Sequence, residues 1–497
     1  MNEKTVIDFL SIQNRWWYKK SEFPFNKIHT FKRRDYYYLR KSVDSEEATL
    51  IIGPRGVGKS TVLFEIMRNL LGLPEVPPSN PKTFTFKEEG LDGKRIIYLI
   101  FDEPMLKKWS ILELLSSYCK FVLGEDISAL QTKIYVFLDE IQNVESWGEQ
   151  ITGIQNLKYP IKFFISGSSS SGMLDEAAKA ARRIQLYTMM PMKFSDVLRL
   201  RFRDDSKLVC ILNNINSFRS KILDAYREND SKEVYELFVK LYSDLKFWQF
   251  EIEKCFQEYM IKGGYPALLN EPDLVKVSAI LKDTFWLGFR EDAINAKGVG
   301  DPDGLFNLTS YIASISSTTA NLSSLQKNSL PGANSDTIKR YLYHLKSSQL
   351  ATQSMLFLRS NKTSDIFKIY LSDVALRNLL IGRLNKLLLD DQKEYGKTLE
   401  TLIYDHLYRL QFKVLPNASL TYWRDNRSHK EVDIVLRING KLMPVEVKKE
   451  DEPGIIDVPA LKAFCRNNHV GTVVCGKKLA HQDGIVFLPA WLFTIIC

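Results

Sequence analysis

The chain lacks long apolar runs, paired cysteines, internal repeats and low-complexity segments, and each absence removes a class of protein. No apolar stretch approaches the roughly 20 residues that a bilayer span requires. Met1 to Lys20 mixes acidic and basic residues, without the basic start, apolar core and small-residue cleavage site of a secretory signal. A soluble, cytoplasmic protein with no membrane partner is expected. The six cysteines (Cys119, Cys210, Cys255, Cys465, Cys475, Cys497) show neither CxxC nor Cys/His spacing, which excludes a zinc ribbon or finger and reads as reduced, mostly buried thiols. Charge of one sign is also scarce. The 68 Lys+Arg exceed the 59 Asp+Glu by a formal +9, modest for 497 residues and compatible with a polyanionic partner or simply a mildly basic surface.

What is present is ordinary globular material, 45% hydrophobic and 26% charged, which excludes a large disordered fraction. A chain this long outgrows a single core, so three or four folding units are expected. The apolar runs Ala48–Ile52, Arg95–Phe101, Ile134–Leu138 and Ile161–Ile165 alternate with stretches of helical period. Strands apolar on both faces that alternate with helices predict an α/β fold with a parallel sheet, its ligand at the carboxyl ends of the strands.

The first run leads into Gly53-Pro54-Arg55-Gly56-Val57-Gly58-Lys59-Ser60-Thr61 and then a helix on which Val62, Leu63, Ile66, Met67, Leu70 and Leu71 share a face. Glycines at these positions let successive N–H groups turn inward on phosphate oxygens at the positive end of the helix. Lys59 then neutralises the β- and γ-phosphates of ATP or ADP, and Ser60 places its hydroxyl on Mg²⁺. Asp139, ending the most apolar run, is placed to hold the Mg²⁺ shell, and Glu140 to polarise the attacking water. Ser166, at the end of the neighbouring run, is placed either to sense the γ-phosphate or to cap a turn. Arg182 and Arg183 are candidates for a transition-state cation, acting in cis or from a neighbouring subunit of a homo-oligomer, and Arg55 is a further one.

Residues 194–285 are charged and helical in period, without Gly or Pro before Gly263, and predict a helical lid or insertion. From Leu305 to Leu380, helices followed by a strand pair suggest a winged helix-turn-helix: a helix capped at Ser335, carrying Lys339 and Arg340, and a wing over Ala351 to Leu371 turning at Asn361 to Ser364. Beyond it, in Glu431-Val432-Asp433 and Pro444-Val445-Glu446-Val447-Lys448, the two-residue pleat puts Glu446 and Lys448 on one face. On neighbouring strands Asp433 and Glu446 would share a Mg²⁺ or Mn²⁺ ion while Lys448 positions a water, with Glu400 from the preceding helix completing a phosphodiester-cleaving arrangement. Two half-exposed strands would give the same pattern. The apolar tail Ile485 to Ile496, broken by Pro489, predicts a strand and a turn.

Taken in order, these segments resemble the archaeal and bacterial AAA+-like, DEXX-box P-loop ATPases that carry a C-terminal restriction-endonuclease-like domain. The resemblance runs from about Phe31 to the end. It rests on Gly53–Thr61, Phe137–Gln142 followed by Trp147, Ser166–Ser169, Arg182 or Arg183 ahead of Met190–Ser195, Gly263–Pro266, Lys368–Asp373, Glu431–Asp433 and Glu446–Lys448. It implies an ATPase core, a winged-helix middle, a nuclease-like end and action on DNA. The expected division is an N-terminal segment (1–45), the ATPase core (46–195), a helical lid (196–300), a winged-helix-like domain (301–380) and a restriction-endonuclease-like α/β domain (381–497). A nucleotide-gated switch whose last domain only binds DNA or a protein is the alternative. The chain departs from the family in a longer 194–256 region, in Ser60 where Thr is more common, and in Lys430 ahead of Glu-Val-Asp.

Overall fold

The apolar runs form the central strands of a parallel sheet in the computed structural model, which describes residues 3–75, 90–168, 171–295, 299–358, 364–425, 430–466 and 469–497. The strands are β1 (Ala48–Gly53), β2 (Ile96–Ile100), β3 (Ile134–Asp139), β4 (Ile161–Ser168) and β5 (Ile184–Thr188), in the order β2-β3-β4-β1-β5. Every residue of β1, β3 and β4 is buried, as continuous apolar runs require when helices cover both faces. β5 was not among the expected strands. It lies at the edge and is half exposed, so Gln185 and Thr188 dilute its apolar signal.

Two compact units divide the chain, Met1–Met190 and Pro191–Cys497, in place of the expected five parts. In the first, the 1–45 segment is integral to the sheet. Asn14 donates to the carbonyl of Tyr98 (3.0 Å) and accepts from its N–H (2.7 Å), while the indoles of Trp16 and Trp17 donate to the carbonyl of Ile96 at 3.2 and 2.8 Å. Side chains thus close the open edge of β2, whose backbone groups would otherwise be unpaired. At the amino ends of the strands, buried Lys162 donates to Ser45 Oγ (2.7 Å), the carbonyl of Glu47 (2.5 Å) and Thr49 Oγ1 (3.1 Å). Burial pushes this amine down to about 8.

The second unit is built on one nine-stranded mixed sheet. Its strands are β6 (Thr319–Ala320), β7 (Ala351–Leu356), β8 (Phe367–Leu371), β9 (Ser419–Arg424), β10 (Glu431–Ile438), β11 (Lys441–Val447), β12 (Gly471–Cys475), β13 (Ala480–Gln482) and β14 (Ile485–Pro489), ordered β13-β14-β12-β11-β10-β9-β7-β8-β6. The boundary expected at residue 380 therefore falls inside a sheet, because β7 pairs in parallel with β9 through Met355↔Thr421 and Leu356↔Tyr422. The region expected to be a lid is core material as well. Leu208, Ile222, Phe238 and Leu241 of its amphipathic helices share a cluster with Leu399, Ile403 and Leu407 of the helix Gln392–Val414 and with Trp491. Tyr226 and Thr472 join their hydroxyls at 2.7 Å. Residues 191–195, expected to end the ATPase core, are anchored here: Met192 N–H donates to the carbonyl of Gly264 (2.7 Å) and Phe194 N–H to His406 Nε2 (3.1 Å).

Helices Pro302–Ile315, Leu322–Ser329 and Ser335–Ser347 precede β7 and β8, with β6 between the first two. The last is capped by Asn334, whose side chain accepts from Thr337 N–H (2.8 Å), one residue before the expected cap. Residues 361–363 of the expected wing turn lie outside the described residues, as does Ser169. Pro489 ends β14 and stands just before a buried helix, Ala490–Ile496, where a turn was expected. Among the described residues no helix is long and apolar enough to cross a membrane.

Replacing Asn14 by Ala leaves a buried N–H and C=O of β2 unpaired. The expected cost is about 1–3 kcal/mol, measured as faster amide exchange across residues 96–100; unchanged exchange would show that Asn14 does not close this edge.

Candidate functional site

Gly53 to Thr61 curl at the carboxyl end of β1 and lead into the helix Lys59–Leu70. Glycine is required at two points. A Cβ on Gly53 would lie 2.1 Å from the carbonyl oxygen of Met189, and Gly58, the residue that caps the helix, has φ +97°. Pro54 and Val57 are buried, Arg55 is half-buried, and Gly56 is exposed at the crest. Lys59 is buried with Nζ on the carbonyls of Gly53 (2.8 Å) and Pro54 (3.1 Å), which stretches its stem back across the loop.

The loop is pinned from behind by a residue that no local pattern announces. The Arg33 guanidinium donates to the carbonyl of Val57 and, at 2.7 Å, to that of Met190, and pairs with Asp35 at 2.9 Å. Asp35 in turn accepts from the Tyr187 hydroxyl at 2.6 Å. A residue 24 positions upstream thereby fixes the loop that carries Lys59.

Opposite the loop, at the carboxyl end of β3, Asp139 is 1% exposed. One carboxylate oxygen accepts from the Tyr98 hydroxyl (2.7 Å); the other accepts from Ser166 Oγ and from the N–H of Glu140 (3.2 Å). Burial, with the charge of Asp139 beside it, pushes the Tyr98 phenol far above its usual range, so it stays a donor. Ser166 thus orients Asp139. Glu140 takes a left-handed conformation at φ 55°, uncommon for a residue with a Cβ and the kind of outlier that gathers at functional sites. Gln142 donates to Glu140 Oε2 at 2.5 Å and accepts from the N–H of Ser168 at 3.2 Å, bridging Glu140 to the end of β4. Burial raises the Glu140 carboxyl above its ordinary value, against the pull of Lys59. The Lys59 ammonium acts on the Glu140 carboxyl, and the Ser60 hydroxyl and the Asp139 carboxylate, on the helix that follows β1 and at the end of β3, are hard oxygen donors of the kind that suit Mg²⁺ beside a phosphate chain.

Arg182 and Arg183 are elsewhere. The carbonyl of Arg183 accepts from the N–H of Ala48, the first residue of β1, at 2.9 Å, and Arg183 Nη2 donates to Asn156 at 3.1 Å. Both arginines are exposed at the amino ends of the strands, beside a cavity of about 500 Å³ that they line with Lys133 and Lys158. Five residues of β1 at about 3.3 Å each separate that end from Gly53. The expectation that either reaches the γ-phosphate in cis is therefore corrected by the polarity of the sheet.

In the second unit the β10–β11 register, Ile434↔Val445, brings Asp433 beside Glu446 as expected, and Asp433 Oδ2 accepts from the N–H of Val447 (2.8 Å). Lys448 Nζ lies 2.9 Å from Glu446 Oε1. Glu400, on the helix behind, accepts from the Tyr370 hydroxyl at 2.9 Å and pairs with Lys368 at 2.9 Å. Lys368 also lies 2.6 Å from Glu431 and 3.5 Å from Asp433. Although burial favours the neutral amine, the carboxylates around Lys368 hold it well above its ordinary value, while burial pushes Glu400 up to about 7. Burial and Asp433 also raise the Glu446 carboxyl, whose Oε2 is buried without a hydrogen-bond partner. Among the described residues no group of three or more His, Cys, Asp or Glu is arranged to hold a metal ion. Lys368 was visible beforehand only as the start of a motif; its alternation with Tyr370 along β8 was the signal that both face one way.

The remaining motifs are structural. Asp373 accepts from the N–H groups of Gly264 (3.0 Å) and Ala375 (2.8 Å), and a Cβ on Gly263, at φ +62°, would fall 1.9 Å from its oxygen. Arg409, paired with Asp405 at 2.6 Å, donates to the carbonyls of Pro191 and Ser372.

Residues 45–198 match the model of an AAA domain, so the first unit carries an AAA-type ATPase domain. Residues 253–387 and 395–493 match two domains of unknown function, DUF8612 and DUF4143. An uncharacterized protein of Methanocaldococcus jannaschii is 26% identical over 274 residues, 52% of this chain and 48% of that one, so the chain spans about half the length of this relative. An uncharacterized protein of Haemophilus influenzae is 22% identical over 475 residues, 92% of this chain and 97% of its own. Among solved structures, the Walker-type ATPase of Pyrococcus abyssi is 13% identical with a TM-score of 0.41, covering 71% of this chain and 96% of that chain. The Aeropyrum pernix ORC1 protein in complex with DNA is 12% identical with a TM-score of 0.26, covering 71% and 93%.

Arg33→Ala frees the carbonyls of Val57 and Met190 and unpins the loop. Affinity for a fluorescent ATP analogue should fall about tenfold, or about 1.4 kcal/mol; an unaltered dissociation constant would show that the loop holds its shape without Arg33.

Proposed function

We propose that this chain binds and hydrolyses Mg-ATP in its first unit and acts on DNA with its second, in the cytoplasm. The observation that carries the reading is the Asp139–Glu140 pair aligned by Tyr98, Ser166 and Gln142 at the same carboxyl end of the sheet as the phosphate loop. Lys59 and the loop N–H groups bind the β- and γ-phosphates, with Ser60 and Asp139 holding Mg²⁺. The ion, when bound, neutralises charge that develops on the phosphates. Glu140 orients a water and takes its proton. Arg182 and Arg183, exposed at the far end of the sheet, are assigned to the γ-phosphate site of a neighbouring subunit in a homo-oligomer, with Arg55 in the loop as the cation in cis.

For the second unit, the three helices and the β7–β8 pair are read as a winged helix, with Lys339, Arg340 and Lys346 exposed on the helix Ser335–Ser347 to meet phosphates along a DNA groove. Glu400, Asp433, Glu446 and Lys448 are read as a restriction-endonuclease-like constellation. A second reading, a nucleotide-gated switch whose second unit docks DNA or a protein without cutting it, is favoured by the position of Lys368 among those carboxylates.

ATP turnover of Lys59→Ala should fall roughly 100-fold or more, and equal rates in the two proteins would end the ATPase reading. Because burial raises Glu140, its base form is lost on acidification above the pH at which a free glutamate titrates. Turnover should therefore decline from neutral pH downward through a value above 4.5, and a profile flat to pH 5 would remove Glu140 as the base. Turnover stimulated by duplex DNA, and lost on Lys339→Glu/Arg340→Glu, tests the DNA assignment; no stimulation, with ADP retained, supports the switch.

A further inference from the structure

We propose that Lys368 is the resident cation of the carboxylate cluster in the second unit, its ammonium filling the position that a divalent ion would take and keeping the site metal-free and non-cleaving. The inference rests on the nuclease-like reading of the cluster and is independent of ATP hydrolysis. An ammonium has three donors and no acceptor, and the three nearest carboxylates, Glu431 (2.6 Å), Glu400 (2.9 Å) and Asp433 (3.5 Å), come from a helix and from strand β10. A divalent ion draws on the same hard oxygens, and an ammonium already held among them repels it and competes for their lone pairs.

The amine is built in. Its residue is paired on both sides within the sheet, to Thr319 of β6 and Ser354 of β7, so the backbone cannot retreat without opening the sheet. The side chain is 1% exposed, and the ring of Tyr422 lies 5.6 Å from Nζ as a cation–π wall. Next along the same face, Tyr370 stacks on Tyr404 at 3.9 Å while its hydroxyl holds Glu400, which fixes the position of the carboxylate that the ammonium uses.

An ammonium brings half the charge of the ion it replaces, and the cluster records the deficit. Among the described residues, the ion pairs of Glu400, Glu431, Asp433 and Glu446 are with Lys368 and Lys448. The unmatched group is visible: Glu446 is 7% exposed, and its Oε2, beside the Lys448 contact, is buried with no hydrogen-bond partner. A divalent ion shared by Asp433 and Glu446 would complete this oxygen, which the ammonium, held by Glu431, Glu400 and Asp433, leaves unfilled.

The test measures Mn²⁺ binding to the full chain without nucleotide, by electron paramagnetic resonance. Wild type should bind no ion that depends on Asp433. The variant Lys368→Met/Glu431→Gln, which removes one charge of each sign, should gain one Mn²⁺ per chain and lose it again on Asp433→Asn. Asp433-dependent binding by wild type, or Mn²⁺-dependent DNA cleavage by wild type that Glu446→Gln abolishes, would overturn the proposal and leave the nuclease-like reading standing. A variant with a native circular-dichroism spectrum that takes up no Mn²⁺ would overturn both. If the variant is unfolded without metal, recovery of the wild-type spectrum in millimolar Mn²⁺ supports the proposal, and failure to recover counts against it.

Discussion

A carboxylate withdrawn from water must be given donors by the fold, and in the first unit the placing of Asp139 depends on meeting that requirement. Its two oxygens are taken by Tyr98 from β2, Ser166 from β4 and the N–H of Glu140. Those donors come from the strands on either side of β3, so the sheet order itself satisfies the acid. Tyr98 can serve only because β2 is held in register at the sheet edge, and Asn14 and the two tryptophan indoles hold it. The N-terminal segment is thereby linked to the geometry of a carboxylate more than a hundred residues away.

The same constraint organises the second unit through the opposite charge. Lys368 is buried among carboxylates, and Arg409 among Asp405, Asp373 and two backbone carbonyls. Desolvating such ions is costly, and only near-complete pairing offsets it. Pairing that depends on so many elements restricts how they can be arranged. Arg409 can reach the carbonyl of Pro191 only if Asp373, the Gly263–Gly264 turn and the helix Gln392–Val414 are all in place. Motifs scattered across 190 to 409 are therefore parts of one buried network, which explains why they read in sequence as disconnected signals.

What was legible in the sequence was whatever repeats locally. Glycine spacing and the amphipathic period after it gave the phosphate loop, the apolar run ending in Asp139-Glu140 gave its acidic partner, and the two-residue pleat put Glu446 and Lys448 on one face, while the nearness of Asp433 needed the β10–β11 pairing. Arg33, Tyr98 and Lys368 were not legible in their roles because each is a single side chain that acts on a group, Val57, Asp139 or Glu400, lying 24, 41 or 32 residues away. Domain boundaries failed for a related reason. The boundary expected at 380 follows the end of a local helix-and-strand pattern, but β7 and β9 pair across it, and no local pattern records a parallel pairing of that reach.

Strand polarity decides one further matter. Because β1 and β5 run parallel, with Ala48↔Ile184 at one end and Ile52↔Thr188 at the other, Arg183 is fixed at the amino end of the sheet while Gly53 is fixed at the carboxyl end. No rotamer of an arginine spans the five intervening residues, and sliding the strands would unpair a ladder buried on both faces of β1. Among the described residues of the first unit, the positive charges at the phosphate loop thus include Lys59, Arg55 and the amino end of the helix Lys59–Leu70, with Arg33 behind it on the carbonyl of Val57. The loop that carries Lys59 keeps its path only while Gly53 stays small enough to pass the carbonyl of Met189 and Arg33 holds the carbonyl of Val57 from behind. The position of the Lys59 charge is therefore set by a glycine's missing side chain and an arginine behind the loop.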